Sequence, residues 1–268
     1  LNQMHQYIAE HQYGDIYSTL QILVAMTPNN VRYMANTTAD RFNKDFAFQW
    51  QREDNRKVRN WKEFSDLFLS IPMAHRMATN YMILDGTPNK QTLKVMRPYQ
   101  VYATQRVIEK IKATDFELGH NKIGYIWHTT GSGKTLTSFK TARLETELDY
   151  IDKVIFVVDR KDLDYQTMKE YQKFQPNSVN GSNNTKELQR SIEENDDRIV
   201  VTTIQKLNKF ITANPNHQIY DKKCVLIFDE CHRSQFGKAQ KRIKKAFKQY
   251  ALFGFTGTPI FPENSLTG

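Results

Sequence analysis

The sequence predicts an α/β fold built on a mostly parallel sheet, with helices covering both faces. Short apolar runs recur at Ile123–Trp127, Lys153–Asp159, Arg198–Thr203, Cys224–Phe228 and Ala251–Phe255. Runs that are apolar throughout, rather than alternating, belong to strands buried on both faces. Helix-compatible patterns such as Leu163–Phe174 and Lys186–Glu193 lie between them, and strand–helix alternation is the mark of βαβ units. Finally, polar motifs follow the strands directly, at Thr129–Thr135, Asp229–His232 and Thr256–Pro259. In such sheets the ligand sits at the carboxyl ends of the strands.

The first third has a different texture. Gln3-Met4-His5-Gln6-Tyr7 reads as amphipathic helix, with Gln3 and Tyr7 four apart on one face. Leu20–Met26 and Val31–Ala35 read as strands, and Thr27-Pro28-Asn29-Asn30 between them predicts an antiparallel hairpin. Phe46–Trp50 adds a further strand. Trp61 to Ile71 follows as a helix, with Trp61, Phe64, Leu67 and Phe68 on a core-facing side. The turn residues Asp85-Gly86-Thr87-Pro88-Asn89 then mark a boundary, giving domains over 1–85 and 86–268.

Thr129-Thr130-Gly131-Ser132-Gly133-Lys134-Thr135 stands between the strand Ile123–Trp127 and a helical pattern from Leu136. A glycine-rich turn at that junction points backbone N–H groups inward and seats phosphates on a helix N-terminus. Residues 130–135 would enclose ATP, with Lys134 reaching the β/γ-phosphates and the Thr135 hydroxyl ligating Mg²⁺. The usual pattern opens with glycine five residues before the GK pair; here that residue is His128, read as structural. Cys224–Phe228 ends in Asp229-Glu230-Cys231-His232. Asp229 would hold Mg²⁺ through water, and Glu230 would orient and deprotonate the attacking water. A solvated acidic strand end is the bland alternative. Against it stand the five-residue apolar run and the 95-residue gap after Lys134, which holds two more strands.

Taken in order, Thr-Thr-Gly-Ser-Gly-Lys-Thr, Asp-Glu-Cys-His and Thr-Gly-Thr-Pro resemble the first RecA-like lobe of a superfamily 2 helicase or translocase. The resemblance spans residues 97 to 259 and implies roles for further residues. Gln100, in Arg97-Pro98-Tyr99-Gln100, would contact adenine. Arg160, and Thr202 with Thr203, would touch the DNA backbone, while His232, Thr256 and Thr258 would couple nucleotide to the neighbouring motifs. Trp127-His128, Asp159-Arg160-Lys161-Asp162-Leu163 and Arg233-Ser234-Gln235 narrow the likeness to the motor subunit of type I restriction enzymes. Gln3 and Tyr7 match the Gln-x-x-x-Tyr element of RecB-like nucleases, which precede the motor in that family. The family implies an ATP- and Mg²⁺-dependent double-stranded DNA translocase in the bacterial or archaeal cytoplasm. Its partners would be methyltransferase and specificity subunits. Another superfamily 2 motor, or a nucleotide-gated DNA-binding module without turnover, are the alternatives; the sequence preceding Gln3 would separate the first of these.

Composition agrees without deciding. A net charge of +9 over 268 residues suits a polyanionic partner. That charge is concentrated: from Cys231 to Pro262 there is no acidic residue, and a helix there would bury Ala239, Ile243, Phe247 and Tyr250 while pointing Lys241, Lys244, Lys245 and Lys248 outward. A solvated basic face and attraction to phosphate are both open readings. Two cysteines offer no disulfide or zinc framework, and no apolar run nears the roughly 20 residues that span a bilayer. A start at Leu1 and a stop just past Thr-Gly-Thr-Pro suggest a piece of a longer protein.

Overall fold

Helix α1 (Asn2–Ala9) buries Met4 and Ile8, one turn apart, and leaves Gln3 and Tyr7 on its outer side. Beside it, β1 (Ile22–Thr27) and β2 (Asn30–Ala35) form the expected hairpin, registered from Ile22↔Ala35 to Thr27↔Asn30. The Thr27 hydroxyl accepts from the Asn30 amide at 3.1 Å and closes the turn. Met4, Ile8, Leu23, Met34 and Ala47 make the shared core. The computed structural model describes residues 1–86, 91–117, 123–129, 131–158, 185–193, 198–229 and 236–257. These divide into two compact units, Leu1–Tyr102 and Ala103–Gly268.

Two expectations for the first unit need correction. Phe46–Trp50 is not a strand: Asn43 accepts from the Asp45 amide and winds Lys44–Phe46 into a 3₁₀ turn, leaving one bridge, Tyr33↔Phe48. Tyr33 is fully buried among the Phe48, Trp50 and Phe68 rings, and its hydroxyl donates to Met96 O at 3.0 Å. The helix from Trp61 is also shorter and less regular. After α2 (Trp61–Phe64), capped by Asn60, the chain widens into a π turn over Ser65–Leu69. Phe64 and Phe68 are buried, whereas Trp61 stays 41% exposed. The extra residue per turn rotates the face, so Trp61 and Phe68 no longer share it. Helix α3 (Met73–Thr79) follows. The turn read as a boundary lies inside this unit, because β3 (Met82–Asp85) and β4 (Thr92–Val95) pair antiparallel on either side of 86–91.

Helix α4 (Pro98–Lys112) crosses the division between the units. In the second unit the five apolar runs fold as β5 (Ile123–Trp127), β6 (Lys153–Val158), β7 (Ile199–Thr203), β8 (Cys224–Asp229) and β9 (Tyr250–Thr256). All neighbours are parallel, in the order β5-β9-β8-β6-β7. Between them run α5 (Lys134–Glu145), α6 (Thr185–Glu193), α7 (Ile204–Ala213) and α8 (Phe236–Ala246). Side chains alternate between two cores. Cys224, Leu226 and Phe228 of β8 face α7 and α8, while Val225 and Ile227 face Val107 and Ile111 of α4 and Phe139 and Ala142 of α5. The β5→α5→β6 connection travels one way along the sheet, and β7→α7→β8→α8→β9 returns. Right-handed crossovers must then lie on opposite faces, and they do.

Arg198, at the entry to β7, fixes the far end of α5. Its guanidinium donates to the carbonyls of Thr146, Leu148 and Ile151, in the turn that directly follows the helix. A cation there also complements the helix dipole. The predicted helix Leu163–Phe174 and most of the loop Asn177–Thr185 lie outside the described residues. No described helix is long and apolar enough to cross a membrane.

Candidate active site

The site is assembled at the carboxyl edge of the parallel sheet. As β5 ends, the Ser132 amide and hydroxyl both bond Thr129 O, at 3.1 and 2.6 Å, and tighten the loop. Gly131 and Gly133 then take φ of +78° and +81°, a left-handed conformation that costs other residues about 1–2 kcal/mol. These two turns reverse the chain so that α5 starts at Lys134, with Gly133 as its N-cap and no side-chain cap. An N-terminus built this way directs backbone N–H groups and the positive end of the helix dipole toward the loop.

Strand β8 brings Asp229 to the same edge, where Lys134 Nζ lies 3.2 Å from its Oδ1. Both groups are largely buried. Removing one would strand a charge away from water, so the pair binds the loop to the strand end. Strand β9 closes the other side. Thr256 pairs with Trp127 in the β5–β9 register, and Thr256 O accepts from the His128 amide at 2.9 Å. Thr256 is itself buried, and this bond joins the strand before Thr-Gly-Thr-Pro to the residue that opens the glycine-rich loop. The His128 ring, 6% exposed, meets Phe255 edge-on at 6.3 Å. Burial first, and the Lys134 charge second, push its pKa down to about 4, so the imidazole is neutral near pH 7. Its structural reading was incomplete: His128 is also the loop's electrostatic neighbour. The available signal was its place where the usual pattern has glycine.

The remaining sequence-assigned residues fall in several places. Gln100 is 4% exposed and its Oε1 accepts from the Arg97 amide at 2.9 Å, the back-bond from the third helical residue that caps α4. Gln100 belongs to the first unit and the loop to the second. Thr202 and Thr203 are buried at the end of β7, and the Thr203 hydroxyl caps α7 by accepting from Lys206 N at 3.3 Å. Thr135 stands in the first turn of α5, next to Lys134. In the first unit Gln3 Nε2 donates to the Tyr7 hydroxyl at 2.6 Å. Both line an open hollow of about 320 Å³ with Tyr13, Thr27, Asn30 and Arg32. Thr130, Arg160, Glu230, His232 and Thr258 lie outside the described residues.

What the edge can do chemically follows from its parts. Among the described residues it offers left-handed glycines, an amide-rich helix start, a cation and a carboxylate, which is the chemistry of a polyphosphate and its metal ion. Comparison with known proteins agrees. A family model described as SWI2/SNF2 ATPase matches residues 99–268. A type I restriction enzyme endonuclease subunit of Staphylococcus aureus (strain MSSA476) is 41% identical over 266 residues, 98% of this chain and 28% of that protein. The C-terminal part of a putative type I restriction enzyme endonuclease subunit from Mycoplasma pneumoniae is 43% identical over 208 residues. That match covers 74% of this chain and all of the relative. A solved nuclease-deletion mutant of the type ISP restriction-modification enzyme LlaGI, in complex with a DNA substrate mimic, is 22% identical. It covers 63% of this chain and 18% of its own at a TM-score of 0.47, a likeness too distant to bear on the site. The chain thus spans little more than a quarter of the length of the staphylococcal relative. On its family match and its full coverage of the mycoplasmal relative, the chain belongs to the endonuclease subunits of type I restriction enzymes and carries a SWI2/SNF2-type ATPase segment.

Proposed function

We propose that this chain is the nucleotide-binding first lobe of an ATP-driven double-stranded DNA translocase, with the tail of a nuclease domain ahead of it. The carrying observation is the Lys134–Asp229 pair at 3.2 Å, which joins the phosphate loop to the acidic strand end. Lys134 would exchange Asp229 for the β/γ-phosphates of ATP, and the α5 N-terminus would cradle them. Thr135 and Asp229 supply the oxygen donors that fit Mg²⁺, and both sit at this edge. When bound, the ion would neutralise charge on the phosphate oxygens. Glu230, the next residue along, would take the proton of the attacking water. The Thr256–His128 bond supports a coupling role for Thr256, with His232 and Thr258 as its companions. Gln100 would contact adenine. Arg160 and the amide-bearing start of α7 after Thr202 and Thr203 would track the DNA backbone.

In this reading the intact subunit works with methyltransferase and specificity subunits, and cleaves DNA through the nuclease domain. Gln3 and Tyr7 would serve that domain: Met4 and Ile8 do the packing of α1, leaving the bonded Gln3–Tyr7 pair turned to the hollow. The deciding experiment is calorimetric titration and steady-state turnover on the intact subunit. Lys134→Ala should lose ATP binding, whereas Glu230→Gln should bind ATP and fail to hydrolyse it. Normal hydrolysis by Glu230→Gln would remove the base from this reading. In the full assembly, replacing both Gln3 and Tyr7 by alanine should impair DNA cleavage while DNA-stimulated ATPase stays near wild type. Full cleavage would dissociate the pair from any nuclease.

A further inference from the structure

The chain's excess positive charge is not spread over its surface. It has 38 lysines and arginines against 29 acids. Two helices, α7 and α8, carry Lys206, Lys209, Lys238, Lys241, Arg242, Lys244 and Lys245 and no acidic residue. Without those seven the chain holds 31 basic residues against 29 acids, so these helices account for nearly the whole imbalance. They are 22 residues apart in sequence, and the fold makes them neighbours. Each leaves the carboxyl edge of the sheet and returns at the amino edge, so they run parallel on one face. Arg242 Nη1 reaches Thr212 Oγ1 of α7 at 3.5 Å.

Packing settles which sides face out. Ile204, Leu207, Phe210 and Ile211 of α7, and Ile243 of α8, are buried in the core beneath. Lys209, Lys241, Arg242 and Lys245 are consequently exposed. Lys209, Lys241, Lys244 and Lys245 form no ion pair with a described residue. Lys248, just beyond α8, is different, because Asp221 neutralises it at 2.7 Å. Lys241 and Lys245 stand one turn apart, about 6 Å, and packed helices are roughly 8–10 Å apart. Such spacings are comparable with the screening length of about 8 Å at physiological salt, so the charges act together as one strip.

We infer that the α7–α8 face is a second phosphate-binding track for duplex DNA, separate from the motifs at the strand ends. A duplex fits better than an acidic protein patch. It offers one charge per roughly 1.7 Å of axis without any sequence requirement, and among its described residues the strip offers cations and no large exposed apolar side chain. The inference rests on the reading that this chain handles duplex DNA. The strip begins beside that reading's own contacts, since α7 starts directly after Thr203. DNA engaged at the strand ends would therefore extend down the strip, gaining affinity while sequence choice is unaffected.

The experiment measures duplex affinity of the intact subunit against salt concentration, for wild type and for the triple variant Lys209→Gln, Lys241→Gln, Lys245→Gln. These side chains are exposed, and thermal unfolding and ATP affinity should match wild type. Losing three phosphate contacts should flatten the log–log slope by about 2 to 3 and weaken binding on the order of 10²-fold near 0.1 M salt. The triple Lys→Arg variant should restore both. A slope identical to wild type overturns the inference, and if assembly with the other subunits fails instead, the face belongs to an acidic protein. A wild-type subunit without salt-dependent duplex binding would sink the underlying functional reading, a result distinguishable from an unchanged slope in the variant.

Discussion

Acidification should destabilise the second unit through one residue, His128. Its ring is buried against Phe255 and sits near the Lys134 ammonium, so both burial and like charge oppose a proton. The folded pKa is pushed down from 6.5 to about 4, while the unfolded chain keeps the ordinary value. Above pH 6.5 both states are neutral and the contribution is nil. Below it the unfolded state takes up a proton that the folded state refuses, so stability falls with pH until about pH 4. At about 1.4 kcal/mol per unit, the accumulated loss is about 3 kcal/mol. Other groups titrate in the same range, so the quantity to measure is a difference. Urea midpoints for wild type and His128→Gln should be taken between pH 7 and pH 4. The wild type should lose about 3 kcal/mol more than the variant across that window. The C2–H resonance of His128, assigned by its absence from the variant, should still be unshifted at pH 5. Parallel stability profiles, or a midpoint near 6.5, would refute the account.

Glu145 should act in the opposite sense. Both its oxygens are buried without a hydrogen-bond partner, and burial raises its pKa well above the ordinary value. From pH 4.5 upward the unfolded state ionises and the folded state does not, so stability falls as pH rises. Glu145→Gln should therefore gain on wild type between pH 4 and pH 7 in denaturation curves; a constant offset would contradict this. At Gly131 a Cβ would meet nothing within 4 Å, so Gly131→Ala should cost only the left-handed backbone penalty, about 1–2 kcal/mol. Gly131→Asn should cost less, since asparagine tolerates that region, and equal losses would implicate a clash. Phe228→Ala, in the core beneath α7 and α8, should lower stability by about 3–5 kcal/mol, read from calorimetric unfolding.

The central strands were legible because each is buried on both faces, which leaves an uninterrupted apolar run such as Cys224–Phe228. The glycine-rich loop was legible because glycine is nearly alone in tolerating φ near +80° twice in three residues. Other features were hidden for physical reasons. Helix α7 begins at Ile204 with no turn residue after β7, and only the capping Thr203 marks the change. Phe46–Trp50 has the composition of a strand, but Asn43 spends its side chain on a 3₁₀ turn. Hairpin β3–β4 pairs only four residues on each side, too few to show periodicity. Glu145 looks like any solvated helical carboxylate, because burial depends on what packs above it. The basic strip needed the fold, since its two halves are separate in sequence.

Arg198 gives the glycine-rich loop and its helix a mechanical property. A helix held at one end absorbs a push by fraying at the other. Helix α5 begins in the glycine-rich loop, and Arg198 grips the carbonyls just past its end, so that outlet is closed. The helix is then a stiff strut between the loop and the root of β7. Along β7 the chain is extended and bonded to β6 residue by residue, from Ile199 to Thr203. A displacement of the loop by a fraction of an ångström would load that strut in compression, with little slack before the load reaches the start of α7. Losing the Arg198 grip would soften the strut while leaving every residue proposed to touch nucleotide in place.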